Sequence, residues 1–94
     1  MRENWQIYGI FDKKNDELIY IGQTRHNLSK RWSWHISWSS EFNQTKINSY
    51  MRQNGGYDNF KIVRLQDGYK TLDDALEWEN HLILEFDPKC NIRR

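Results

Sequence analysis

Two periods run through the apolar positions of this chain, and the switches between them mark its elements. Residues 5–12, WQIYGIFD, are rich in aromatic and branched side chains and read as a strand. Lys13-Lys14-Asn15-Asp16 is a polar break suited to a tight turn, and residues 17–22 read as the return strand. From residue 28 the period lengthens. Leu28, Trp32, His35 and Ile36 form the apolar stripe of a helix over 28–38, with Asn27 as its N-cap and Arg31 at the stripe's edge. A polar connection over 39–45 leads to a second helix over 45–54, with Ile47, Tyr50 and Met51 on one side and Gly55-Gly56 as its stop. Phe60, Ile62, Val63 and Leu65 predict a third strand, ended by Asp67-Gly68. A last helix is expected over 72–86, with Thr71 as N-cap, Asp74 three residues on, and acids in its first turn. The sum is an α+β fold: a small three-stranded antiparallel sheet flanked by about three helices, in one domain spanning residues 1–94.

One residue breaks the pattern. The last helix carries Leu72, Ala75, Leu76, Leu82, Ile83 and Phe86 along its stripe, and its period calls for an apolar residue at 79. The chain has Glu79. A carboxylate facing a core costs several kcal/mol unless it is paired or holds a metal ion. The plainer readings are a stripe-edge side chain reaching water, or an ion pair with Arg31.

Composition narrows the field. No run approaches the roughly 18 apolar residues of a membrane span, and no signal-peptide core is visible at the N-terminus. Cys90 is the only cysteine, so no disulfide forms within the chain, which suits a reducing compartment. An intracellular, cytoplasmic location is the expectation, in the host cell if the chain is phage- or virus-encoded. Net charge is only +1, yet it is unevenly spread. Residues 25–64 hold seven Lys/Arg against two acids, and residues 65–94 hold four against seven. A basic middle can track a phosphate backbone, and it can equally be an ordinary solvated surface. Five Trp and five Tyr exceed what a small core requires, which leaves some for stacking on bases.

The candidate chemistry lies in residues 5–35. Tyr8 and Tyr20 occupy the two strands of the hairpin; Arg31 and His35 follow one helical turn apart on one face. Two phenols, a guanidinium and an imidazole are a set able to act on a phosphate. A register pairing Tyr8 with Tyr20 would put both hydroxyls on one face, and a slip of one residue would part them. Gly22, having no Cβ, would let a ligand or backbone approach closely.

Tyr20-Ile21-Gly22, preceded by a tyrosine one strand earlier and followed by Arg31-x-x-x-His35, resembles the GIY-YIG nuclease family. The family's first triplet is usually Gly-Ile-Tyr; here it is Gln6-Ile7-Tyr8, with the glycine replaced and the tyrosine kept. Gly9-Ile10-Phe11 carries the "GI" but ends in a ring without a hydroxyl. The resemblance extends to Glu79 with Ile83 in the last helix and to Asn91 beyond it, although the aromatic that usually precedes this Asn is Cys90 here.

What the resemblance implies is a metal-dependent DNA endonuclease, a phosphodiester hydrolase working with one metal ion. Glu79 would hold Mg²⁺, with Mn²⁺ as a substitute; Arg31 would clamp the scissile phosphate; Tyr8 would act as general base. Tyr20 would orient water or phosphate, and His35 would share the proton relay. Gly22, Lys46, Arg52 and Asn91 are the expected nucleic-acid contacts. The partner would be DNA, duplex in preference to single strands, with a dimer on DNA as an option and no membrane. The competing readings are a catalytically silent nucleic-acid-binding module of the same fold and a plain interaction domain.

Overall fold

The computed structural model describes residues 4–38 and 46–91, with the backbone alone over 35–38. The polar connection expected over 39–45 lies outside the described residues. Three strands, β1 (Trp5–Asp12), β2 (Leu18–Thr24) and β3 (Phe60–Tyr69), form one antiparallel sheet in the order β2-β1-β3. Among the described residues three α-helices accompany them: α1 (Leu28–Trp38), α2 (Lys46–Gln53) and α3 (Leu72–Phe86). This is the expected α+β architecture. Among the described residues no helix is long and apolar enough to cross a membrane.

Local chemistry explains the boundaries. Asp16 takes a left-handed φ of 58° between β1 and β2, and the Asp12 N–H reaches the Glu17 carbonyl at 2.9 Å. Asn27 caps α1 by accepting from the Lys30 N–H at 2.8 Å. Thr71 caps α3 by accepting from the Asp74 N–H at 3.1 Å, and Asp87 closes it in the left-handed region.

Two strands run further than the sequence pattern indicates. β2 continues through Gly22 to Thr24, and β3 runs through Asp67-Gly68 to Tyr69. In β3 a bulge absorbs the turn signal. The pairing passes from Trp5↔Tyr69 to Gln6↔Asp67, leaving Gly68 as the extra residue at φ +94°, a conformation glycine adopts without strain.

The sheet is buried on both faces. On one, Tyr8, Ile10 and Phe60 pack with Ile47 and Met51 of α2, and Leu28 and Trp32 of α1 close over them. On the other, Ile7 and Ile21 pack with Ile83 of α3, supported by Leu65 and Leu82. Full burial of one such side chain contributes about 1.5–3 kcal/mol. The segment after α3 covers the open edge of β2. The Cys90 N–H donates to the Ile19 carbonyl at 2.9 Å, and Asn91 uses its side-chain amide as a strand would use its backbone. Its Oδ1 accepts from the Ile21 N–H and its Nδ2 donates to the Ile21 carbonyl, both at 2.8 Å.

Candidate active site

The hairpin brings the two phenols together by a register different from the one anticipated. Tyr8 stands opposite Gly22, and Tyr20 stands opposite Ile10. The offset is two residues, so the tyrosines remain on one face as diagonal neighbours, with ring centroids 6.2 Å apart. Gly22 makes the arrangement possible. A Cβ there would collide with the hydroxyl end of Tyr8 and crowd the ring of Tyr20. The close approach that its missing side chain permits is thus made by Tyr8, where the sequence suggested a nucleic-acid contact. Phe11 points away from this cluster, opposite Leu18 across the hairpin's bulge.

Helix α1 adds the guanidinium. Arg31 Nε donates to the Tyr8 hydroxyl at 3.0 Å, and the guanidinium carbon lies 5.8 Å from the centre of the Tyr8 ring. His35 follows on the same helix, and its side chain lies outside the described residues.

Helix α3, packed chiefly against β2, adds Glu79. The side chain is half-buried, and its Oε2 is enclosed without a hydrogen-bond partner among the described residues. A carboxylate rising wholly into water is therefore not what this helix presents.

The electrostatics follow from burial. Loss of water pushes the Glu79 carboxyl up from 4.5 to about 7. Tyr8, with no exposed surface, has its pKa raised well beyond the ordinary phenol value, first by burial and then by Tyr20, with Arg31 pulling against both. Tyr20 is half-buried and is raised by burial and next by the nearby Glu79 charge; Arg31 and a hydrogen bond with Tyr8 oppose the rise. Each phenol responds to Arg31 and to Glu79, so the four groups form one electrostatic unit drawn from β1, β2, α1 and α3.

The other expected contacts fall elsewhere. Lys46 is exposed at the start of α2, and Arg52 at its end donates to Ser49 Oγ at 3.4 Å. The amide of Asn91 is engaged on both sides with the backbone of Ile21, so it acts as a structural clamp where a DNA contact was expected. Among the described residues no cluster of three or more His, Cys, Asp or Glu side chains is present. A metal ion here would find one carboxylate. Glu79 fits that part, because an enclosed anionic oxygen without a donor is what a hard divalent cation completes.

One feature of the site is not signalled by the motif residues. Gln6, where the family pattern has glycine, is buried, and its Nε2 donates to the His26 carbonyl at 2.7 Å. That bond ties β1 to the loop entering α1. Strand alternation from Tyr8 places Gln6 on the same face, so an inward polar side chain at this point was the available clue.

The GIY-YIG catalytic domain model matches residues 4–91. Among solved structures, the chain is similar to the catalytic domain of the homing endonuclease I-TevI, at 23% identity over 88% of each chain with a TM-score of 0.70. It is also similar to a point mutant of the catalytic domain of the intron endonuclease I-TevI, at 22% identity over 97% of this chain and 92% of that one, with a TM-score of 0.74. At these identities the likeness is one of fold. No curated protein matches the chain in sequence.

Proposed function

This chain belongs to the GIY-YIG catalytic domain family, and on that premise we propose that it is a metal-dependent DNA endonuclease. The observation that carries the reading is the enclosed Glu79 oxygen, without a partner among the described residues, beside two phenols and a guanidinium. A carboxylate kept in that state lowers stability, and hydrolysis of a phosphodiester supplies a reason for it.

Glu79 would hold Mg²⁺, which when bound supplies Lewis-acid stabilisation of charge on phosphodiester oxygens. The rest is the work of the chain's own groups. The Nε bond to Tyr8 fixes the plane of the Arg31 guanidinium, whose terminal nitrogens suit bidentate contact with the scissile phosphate and the charge that builds on it. Burial divides the phenols. Tyr8, fully enclosed, is a positioning residue that orients Arg31 and Tyr20. Tyr20, half-buried, keeps part of its surface in contact with solvent, and we assign it, in place of Tyr8, as proton acceptor. Its raised pKa opposes that task at neutral pH. Arg31 already lowers it, and neutralising the Glu79 charge removes an upward push.

The test is nicking of supercoiled plasmid in Mg²⁺ by wild type and Glu79→Gln. The expected result is loss of cutting in the variant with the fold intact. Wild-type rates in Glu79→Gln would remove this residue, and the one-metal reading with it.

A further inference from the structure

Beside the Tyr8–Arg31 pair lies an open pocket of about 260 Å³, lined in the main by Trp5, Gln23, Arg25, His26, Arg31 and Trp34. Its composition is unlike that of a core. Two indoles and an imidazole supply flat apolar faces, two guanidiniums supply positive charge, and no acid among the described residues lines it. The rings are held in place. Gln6 Nε2 bonds the His26 carbonyl, the His26 N–H bonds Thr24 Oγ1 at 3.1 Å, and the His26 ring meets Trp34 edge-to-face at 4.8 Å. Cations also stand over the indoles. Arg25 lies 5.6 Å from the Trp5 ring centre, and Lys30 lies 5.6 Å from that of Trp34.

We infer that this pocket takes one unpaired nucleobase next to the scissile phosphate, so that the preferred substrate is duplex DNA interrupted by an unpaired nucleotide at the cut. The position of the phosphate on Arg31 rests on the endonuclease reading above; the pocket's chemistry does not. Three observations support the inference. Arg31 belongs both to the pocket and to the phenol cluster, so a base in the pocket and a phosphate on the guanidinium are neighbours on one strand. The volume falls just under the ~300 Å³ at which pockets begin to enclose drug-sized molecules, a scale that suits one base better than a pair. Aromatic faces with interleaved cations stack bases without regard to sequence. Arg25 is exposed, so an entering base can displace its guanidinium toward a flanking phosphate. Extracting a paired base is costly and an unpaired one is not, which turns the pocket into a selector of DNA structure.

The test compares a labelled duplex carrying one unpaired 2-aminopurine with its fully paired twin. In EDTA, where nothing is cut, the interrupted duplex is expected to bind wild type roughly tenfold tighter, with the 2-aminopurine emission quenched on binding. That ratio falls toward one in Trp34→Leu and in Trp5→Leu, and it persists in Trp78→Ala, which removes an exposed indole on α3. In Mg²⁺ the incisions map beside the unpaired nucleotide. Equal affinities for the two duplexes, or emission that does not change when wild type binds, overturns the inference without needing any variant. Tight, quenched binding with no cutting of either duplex retains the pocket and refutes the endonuclease. Cutting of both duplexes at equal rates and affinities does the reverse.

Discussion

Glu79→Gln should stabilise this domain at pH 8 while abolishing its cleavage. The carboxyl titrates near 4.5 when unfolded and at about 7 when folded, because burial disfavours its charge. The folded state therefore binds the proton more tightly, and stability declines as pH rises from about 4.5 to 7. Below that window the protonated side chain carries no penalty; above it the penalty is complete. A shift of this size corresponds to about 3 kcal/mol, and solvent around a half-buried side chain reduces that to roughly 1–2 kcal/mol. The glutamine variant has no charge to bury. At pH 8 its melting temperature should exceed wild type by some 5–10 °C, on a scale of roughly 4–8 °C per kcal/mol for a domain of this size. At pH 4 the two should melt together. Thermal melts followed by circular dichroism between pH 4 and 9 measure the difference directly. Millimolar Mg²⁺ should raise the wild-type midpoint at pH 8 and leave the variant unmoved, since only a group with differential affinity for the ion links binding to folding. Equal midpoints at pH 8, or a gap at pH 4 as large as at pH 8, would refute the burial reasoning. A Mg²⁺ response that survives in the variant would refute the ligand assignment.

The remaining predictions concern the geometry around that carboxylate. Gly22→Ala inserts a methyl group where the Tyr8 hydroxyl lies; it should cost about 1–3 kcal/mol in urea titrations and reduce cutting by displacing Tyr8 from Arg31. Tyr20→Phe should lower the single-turnover rate by at least about a hundredfold, the usual scale for losing a proton-transfer group. Tyr8→Phe should slow cutting less and shift the alkaline limb of the pH–rate profile, because it alters the group that Tyr20 bonds; identical profiles for wild type and Tyr8→Phe would contradict the positioning role. Asn91→Ala removes both bonds to Ile21 and should destabilise by about 1–3 kcal/mol, with hydrogen exchange rising first at the β2 edge.

The chain by itself specified what depends on neighbours in sequence. Aromatic and branched residues over 5–12, the cap at Thr71 and the helical stripe beyond it set the elements, since propensity, capping and periodicity act within a few residues. The same stripe exposed Glu79 as the residue out of place, and the resemblance of Tyr8, Tyr20 and Arg31 to a family motif marked the cluster. Tertiary structure decided the rest. Pairing across the sheet placed Tyr8 over Gly22, because register depends on the partner strand and only a residue without a Cβ leaves room for that ring. The bulge at Gly68 carried β3 past a turn signal because β1 was there to pair with. Asn91 became an edge clamp through contact with Ile21, seventy residues away, and the pocket between Trp5 and Trp34 exists only once β1, the β2–α1 loop and α1 have met. A burial environment belongs to the assembled fold, so the raised pKa of Glu79 could be read only from the packed protein.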